Sequence, residues 1–236
     1  MNPIAQRLGA LTLAFATTSV GSLATHTCEA AQPNVRRLIN ELNDDSPVVR
    51  MLSAVALIQM GPDGKAAVRE LSVALRDEDS DVRWVSAAAL GAIGPQATVA
   101  VPALVGALQD KDPTVRWNSA LALGNIGEAQ EAVPALINAL KDKDVDVRWN
   151  SALALGKIGK SQGAVPALIN ALKDEDVVVR WNSAKALGML GAEARTSLPT
   201  LIDLLQDNDR GVRKSAAAAL QTIAERLVED ANVDAS

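Results

Sequence analysis

Four tryptophans stand at the same place in a repeated phrase, and they are the side chains of this sequence best suited to recognition chemistry. The phrase VRWNSALALG, or a close variant of it, occupies residues 82–91, 115–124, 147–156 and 179–188. At 100° per residue around a helix, Trp117 lies nearly opposite Ser119 and Ile126, which belong to the face that a core would bury. An apolar, aromatic strip flanked by amides has the composition of a recognition surface.

The spacing predicts a binding surface with three parts: the tryptophans, the asparagines that follow three of them, and residues four and eight positions further on. Its candidate residues are Trp84, Trp117, Trp149, Trp181, Asn118, Asn150, Asn182, Leu121, Leu153, Lys185 and Asn125. Two other interpretations stay open. The rings can lie along the seam between adjacent helices and serve as packing, with or without a binding role. Tryptophan with asparagine is also a common platform for sugars.

A row of arginines, each preceded by a valine, runs beside the tryptophans. A guanidinium fork can bond two carboxylates or carbonyls from adjacent structural units. We therefore predict a structural ladder with aspartates in the turns, and not a phosphate-binding row. The ladder arginines are Arg83, Arg116, Arg148, Arg180 and Arg213, and the turn aspartates include Asp77, Asp110, Asp142, Asp174 and Asp207.

The residues that metal or covalent chemistry would need are missing. The segment from Asp142 begins Asp-x-Asp-x-Asp like a calcium-binding loop, but it has Val147 in place of the glycine and Leu153 in place of the bidentate glutamate. Helix capping explains these aspartates better. His26 and Cys28 are the chain's single histidine and cysteine. We predict no catalytic residue, no metal site and no cofactor.

The first 30 residues are typical of a secretory signal. Arg7 precedes an apolar stretch at 8–16, and small residues near Ala30 offer a cleavage site. The alternatives are a disordered leader and, more weakly, a lipid-modified Cys28. The apolar stretch is short for a membrane span, so we expect no stable membrane insertion. We expect export to a periplasm-like or thylakoid-lumen-like space; the alternative is a cytoplasmic protein.

Net charge argues against a nucleic-acid partner. The chain has 23 basic and 28 acidic residues and a net charge of -5. A nucleic-acid-binding protein of this size would need a concentrated basic face. The sequence therefore favours a protein or peptide partner, and it leaves the oligomeric state open.

These side chains are positioned by a repeat of about 33 residues. The valine–arginine pair recurs at spacings of 32 or 33 residues and defines six units. Each unit is predicted to hold two helices joined by an acidic turn, with Asp112 and Ser46 as caps before a proline, and with Gly127 and Gly159 in left-handed caps. No segment alternates with the period of a strand. The units are 33–64, 65–98, 99–130, 131–162, 163–195 and 196–230, followed by a tail at 231–236.

The repeated pattern D-x-D-x-x-VRxxAAxALGxIG resembles HEAT repeats, in particular the short HEAT-like type of phycobilisome lyase subunits. The resemblance recurs in all six units. It implies an all-α fold, a right-handed superhelical solenoid whose second helices line the concave side. The resemblance says less about function, and it is the concave tryptophan and asparagine strip that favours a non-catalytic protein-binding scaffold or adaptor. The alternative that it leaves open is an accessory subunit or chaperone similar to phycobilin lyase HEAT-like proteins, with a tetrapyrrole against the apolar strip.

Overall fold

The computed structural model describes residues 34–159 and 162–234, and within them the chain forms helices and turns without a strand. Contacts between Cα atoms divide the chain into two units, Met1–Gln32 and Pro33–Ser236. The predicted leader at 1–30 lies outside the described residues, so it stays a prediction. The second unit contains the six repeats.

Each repeat pairs a short first helix with a longer second helix. The first helices are α1 (Val35–Glu41), α3 (Val68–Ala74), α5 (Val101–Ala107), α7 (Val133–Ala139), α9 (Val165–Ala171) and α11 (Leu198–Asp203). The second helices are α2 (Pro47–Met60), α4 (Ser80–Ile93), α6 (Pro113–Ile126), α8 (Val145–Ile158), α10 (Val177–Leu190) and α12 (Arg210–Asp234). Every predicted unit contains one such pair. The last helix runs four residues past the predicted end at 230, because no glycine or proline interrupts 228–234.

Short 3₁₀ segments connect the helices. Those between repeats are Gly61–Ala67, Gly94–Ala100, Gln130–Ala132, Gln162–Ala164 and Gly191–Ser197, and Leu204–Gln206 follows α11. The glycine after each of the second helices α2, α4, α6, α8 and α10 has a positive φ, from 54° to 80°. The prediction of left-handed caps is right about the sign of φ but wrong about ψ, which is -58° at Gly127 and -179° at Gly159. At Gly127 the Glu128 amide donates to the Ile126 carbonyl (3.0 Å), which closes a γ-turn.

Aspartate side chains begin most of the second helices. Asp112 accepts a hydrogen bond from the Thr114 amide at 2.7 Å, as predicted. The prediction of a cap at Ser46 is wrong, because its hydroxyl makes no capping bond and its own amide donates to Asp44. Helix α2 starts on Pro47 instead, whose fixed φ suits the first turn and whose missing N–H needs no partner.

The second helices form the inner, closely spaced layer of the solenoid. Neighbouring second helices contact each other extensively, whereas neighbouring first helices barely touch. Glycines permit this approach: a Cβ built on Gly156 would lie 2.7 Å from the Cα of Ala186 in the next repeat. Because one layer is spaced more tightly than the other, the array curves toward the second helices, and their solvent side is the concave side.

We expect Gly156→Ala to lower the free energy of unfolding by about 1–3 kcal/mol, since the added methyl group forces α8 and α10 apart. Gly106→Ala is the matched control, because a Cβ there meets nothing within 4 Å. Alanine at that helical position should stabilise the protein by about 0.5–1 kcal/mol. Urea denaturation measures both changes, and equal effects at the two sites would contradict the close approach.

The arginine ladder ties each repeat to the next. Arg83 donates from Nε (2.8 Å) and Nη2 (3.0 Å) to the two carboxylate oxygens of Asp110 in the following repeat. From Nη1 it donates to the carbonyls of Asp77 (2.8 Å) and Glu78 (3.0 Å) in its own repeat. The five rungs are Arg50–Asp77, Arg83–Asp110, Arg116–Asp142, Arg148–Asp174 and Arg180–Asp207.

The two ends of the ladder differ from the prediction. Arg50 forms a rung although the predicted set omits it. Its place after Val49 matches the valine–arginine pair of the other repeats and could have predicted this. Arg213 bonds only the carbonyls of Asp207 and Asn208 (2.7 and 3.0 Å). No described carboxylate forms an ion pair with Arg213.

The ladder lowers the pKa of Asp77, Asp110, Asp142 and Asp207. Burial of Asp110 raises the pKa of its carboxyl group, but hydrogen bonds from Arg83 and from the Asp112 amide lower it by more, so the result lies below the ordinary value. The pKa values of Asp77 and Asp142 are lowered in the same way. At Asp207 the hydrogen bond from Arg180 is the largest cause, and it lowers the pKa.

We expect the free energy of unfolding to fall as the pH is lowered below about 4. A carboxyl group with a lowered folded-state pKa stabilises the protein fully above its unfolded pKa and loses that contribution as the pH drops through the folded value. Urea denaturation between neutral and acidic pH checks this. In Asp142→Asn the acid-induced loss should be smaller than in the wild type, and an unchanged loss would show that the ladder is not its source.

Candidate functional site

The concave face is formed by the tryptophan position of each second helix and by the residues four and eight positions after it. The exposure of the tryptophans rises along the array. Trp84 is only 7% exposed and Trp181 is 41% exposed. Trp117 and Trp149 are half-buried. The four rings are therefore not equivalent, although their sequence contexts are almost identical.

Trp84 is a structural residue, and the prediction that it lines an exposed surface is wrong. Its ring belongs to the buried apolar core. Its indole Nε1 donates a hydrogen bond to Asp81 Oδ1 at 2.8 Å, three residues earlier in α4. Because its ring packs in the core and its N–H is hydrogen-bonded within α4, Trp84 serves as a packing residue, which is one of the interpretations that the sequence allows.

The residue three positions before each tryptophan decides what the indole N–H does. Trp149 bonds Asp146 Oδ1 at 2.8 Å. Thr114 and Val178 occupy the equivalent places before Trp117 and Trp181. Neither of these two indoles makes a hydrogen bond to a described residue, so each can donate to a partner.

The prediction that the asparagines line the surface is wrong. Asn118, Asn150 and Asn182 are 1–3% exposed. Each donates from Nδ2 to the carbonyl four residues earlier in its own helix, at 2.8–2.9 Å. A second helix is covered on three sides, by its own first helix and by the second helices on either side. A helical wheel shows the side toward the first helix but not the two sides toward the neighbouring second helices.

The other candidates divide between half-buried and exposed positions. Leu121 and Leu153 are half-buried, and Asn125 and Lys185 are exposed. Asn125 Oδ1 accepts a hydrogen bond of 2.7 Å from Lys157 Nζ across neighbouring helices. Of the predicted residues, those that lie at least partly exposed on the concave face are therefore Trp117, Trp149, Trp181, Leu121, Leu153, Asn125 and Lys185.

An apolar stripe on α10 is the most exposed part of this face. Val177, Val178, Trp181 and Met189 are 37–45% exposed, and they occupy one side of the helix, where residues three or four apart are neighbours. Lys185 lies within the stripe with its Nζ 5.8 Å from the centroid of the Trp181 ring. Met189 lies eight positions after Trp181, as the predicted spacing requires. The prediction missed the two valines, which stand where the second repeat has Ser80 and Asp81.

The arrangement favours binding over chemistry. Within 34–159 and 162–234, no group of three or more histidine, cysteine or acidic side chains could hold a metal ion. One described stretch, 80–107, has the length and mean hydropathy (1.5) of a membrane span. It is interrupted at Gly94, where φ is 71°, and half of its apolar window is buried, as in the core helices of a folded domain.

Comparison with known families gives the same architecture. A model of HEAT repeats matches residues 35–106, 96–143 and 133–221. The chain belongs to the HEAT-repeat family. A search of curated proteins gave no match. This match confirms the resemblance to HEAT repeats. The solved structures described next confirm its lyase-like type and the all-α solenoid.

Solved structures similar to this HEAT-repeat protein include engineered and natural solenoids. An engineered protein from a structural genomics consortium is 26% identical over 81% of this chain and 97% of its own, with a TM-score of 0.68. The complex of CpcE and CpcF of phycocyanin lyase from Nostoc sp. PCC7120 is 26% identical over 86% and 82%, with a TM-score of 0.63. A designed armadillo repeat protein in complex with peptide (KR)4 is 20% identical over 80% and 99%, with a TM-score of 0.67, and shows the fold alone.

Proposed function

We propose that this HEAT-repeat protein is a non-catalytic scaffold that binds a protein or peptide partner on its concave face. The observation that carries the proposal is the exposed stripe of α10, where Trp181 keeps a free indole N–H. Large aromatic side chains with one apolar body and one donor are typical anchors of interfaces. Trp117, Trp149, Leu121 and Leu153 extend this surface toward the N-terminal repeats.

The similar structures support the class of partner. The repeat solenoid is an architecture suited to protein-binding scaffolds. One similar protein is in complex with a peptide, and another forms a complex of two different subunits. We further propose that the protein is exported, on the basis of residues 1–30. N-terminal sequencing of the protein from cells tests this, because export with processing should place the mature N-terminus near Ala30.

Site-specific photocrosslinking in cells tests the binding proposal. A benzophenone amino acid at position 181 should crosslink to a discrete protein or peptide. The same amino acid at Val99, which is 68% exposed in the 3₁₀ segment between α4 and α5, should not give that product. Trp117→Ala should reduce the yield from position 181. Identical products from positions 181 and 99 would refute the concave face as the binding surface.

A role like that of a phycobilin lyase subunit is the second candidate, because this chain aligns with most of a chain of the CpcE–CpcF complex. Under that role the crosslinked product from position 181 should be a phycobiliprotein or a partner subunit. Titration with a free bilin should also quench the tryptophan fluorescence. Absence of both results would exclude this candidate and leave the general scaffold role in place.

A further inference from the structure

The C-terminal half of the concave face carries lysines without acidic partners. Lys157 and Lys185 lie on α8 and α10, and Lys214 takes the tryptophan position on α12; all three are exposed. None of them forms an ion pair with a described residue. The turn aspartates that face the arginines are paired in the ladder, so the acidic excess of the chain does not neutralise this part of the face.

The three lysines surround the stripe of α10. Lys185 Nζ lies over the Trp181 ring. Partial burial lowers the pKa of Lys157, and the charge of Lys185 lowers it further, so these two ammonium groups repel each other. On the other side, Ser215 Oγ donates to the Trp181 carbonyl at 3.0 Å, which places its neighbour Lys214 on the helix beside Trp181.

The aspartates that line the face in α4 and α8 are replaced by uncharged residues in the last two repeats. Asp81 and Asp146 are the aspartates three residues before a tryptophan, and each accepts an indole N–H. Val178 and Gly211 occupy this position in the last two repeats. Apolar and cationic character therefore coincide from the C-terminal end of α8, at Lys157, to α12. The unpaired ammonium groups there favour a partner that supplies anions.

We propose that the partner segment bound here is an acidic peptide in which Asp or Glu residues are interspersed with aliphatic or aromatic residues. Its apolar side chains would cover Val177, Val178, Trp181 and Met189, and its carboxylates would meet Lys157, Lys185 and Lys214. This inference rests on the proposed scaffold function and adds the chemistry of the partner. The apolar share of the stripe and the absence of arginine from its centre favour a peptide over a nucleic acid.

Selection from a random dodecapeptide library displayed on phage tests the inference, with the full chain as the immobilised target. A parallel selection uses the triple variant Lys157→Glu, Lys185→Glu, Lys214→Glu. The matched control is Lys65→Glu, Lys111→Glu, Lys173→Glu, which changes the net charge equally at exposed positions away from the concave face. Circular dichroism and thermal unfolding establish that both variants are folded.

The expected result is enrichment of peptides that combine Asp or Glu with large apolar residues. Their affinity should fall about tenfold or more in the concave triple variant, stay within about twofold in the control, and weaken as salt is raised. Trp181→Ala should also weaken them.

Four results would overturn the inference. Enriched peptides that are neutral or basic would refute the acidic partner. So would acidic peptides that bind the concave triple variant as tightly as the wild type. In either case a specific crosslink at position 181 would still support the scaffold proposal. Failure to enrich any peptide that depends on Trp181 would refute the peptide-binding inference; with no specific crosslink at 181, the scaffold proposal would fail too. Tight binding of a single-stranded oligonucleotide that is lost in the concave triple variant would assign the lysines to nucleic acid instead.

Discussion

Arg116→Ala should lower the free energy of unfolding by about 3–5 kcal/mol, the range found when one partner of a buried ion pair is removed. The Arg116 side chain is 7% exposed and lies 2.8 Å from Asp142. It also donates to the carbonyls of Asp110 (2.9 Å) and Lys111 (3.3 Å) in its own turn. Its removal leaves a mostly buried carboxylate without its cation and two carbonyls without their donor.

Chemical denaturation measures this loss, with Arg213→Ala as the matched control. Arg213 makes the equivalent carbonyl bonds, but no carboxylate of a described residue pairs with it. Because a solenoid is held together by contacts between neighbours, loss of the Arg116 rung should also make the unfolding transition less cooperative. A loss for Arg116→Ala no larger than for Arg213→Ala would show that the ladder carries little of the stability.

Trp84→Ala should lower the free energy of unfolding by about 3–5 kcal/mol, as expected for a buried tryptophan. Trp181→Ala should lower it by less, about 1–2 kcal/mol, since a large part of this side chain already contacts water in the folded state. The physical reason is the difference in burial, 7% against 41% exposed. The hydrogen bond that Trp84 donates to Asp81 increases the difference in stability loss between the two variants.

The same denaturation experiment compares the two variants directly. Asp81→Ala is a useful companion, because it removes the indole's acceptor while keeping the ring, and it should cost about 1 kcal/mol. Comparable losses for Trp84→Ala and Trp181→Ala would mean that both rings are packing residues. The concave face would then lose its main anchor.

The helices, their acidic turns and the arginine ladder could be predicted from the sequence because each follows from local patterns that recur in every unit. Asp112 before Pro113 predicts its helix start, and a valine–arginine pair every 32 or 33 residues predicts a ladder between neighbours. A helix cap depends only on residue spacing within one repeat, and a ladder rung needs in addition only that another repeat follows.

The exposure of individual side chains could not be predicted in this way. Trp84 and Trp181 have nearly the same neighbours in sequence but differ in burial, because burial depends on side chains contributed by adjacent repeats. Asn118 shows the same limit: its position on a helical wheel is away from the partner helix, yet only 2% of the residue is exposed in the array. Asn118 then has to satisfy its amide within its own helix, at Thr114.

The claim that the C-terminal repeats present an exposed aromatic and cationic surface is tested most directly by collisional quenching of single-tryptophan variants. In each variant of the full chain, the other three tryptophans are replaced by phenylalanine; the chain has no tyrosine. With Trp181 alone, we predict red-shifted emission that is quenched strongly by acrylamide, and more strongly by iodide than by caesium. With Trp84 alone, we predict blue-shifted emission that resists all three quenchers. Protected emission from Trp181, or quenching by caesium as efficient as quenching by iodide, would contradict the account.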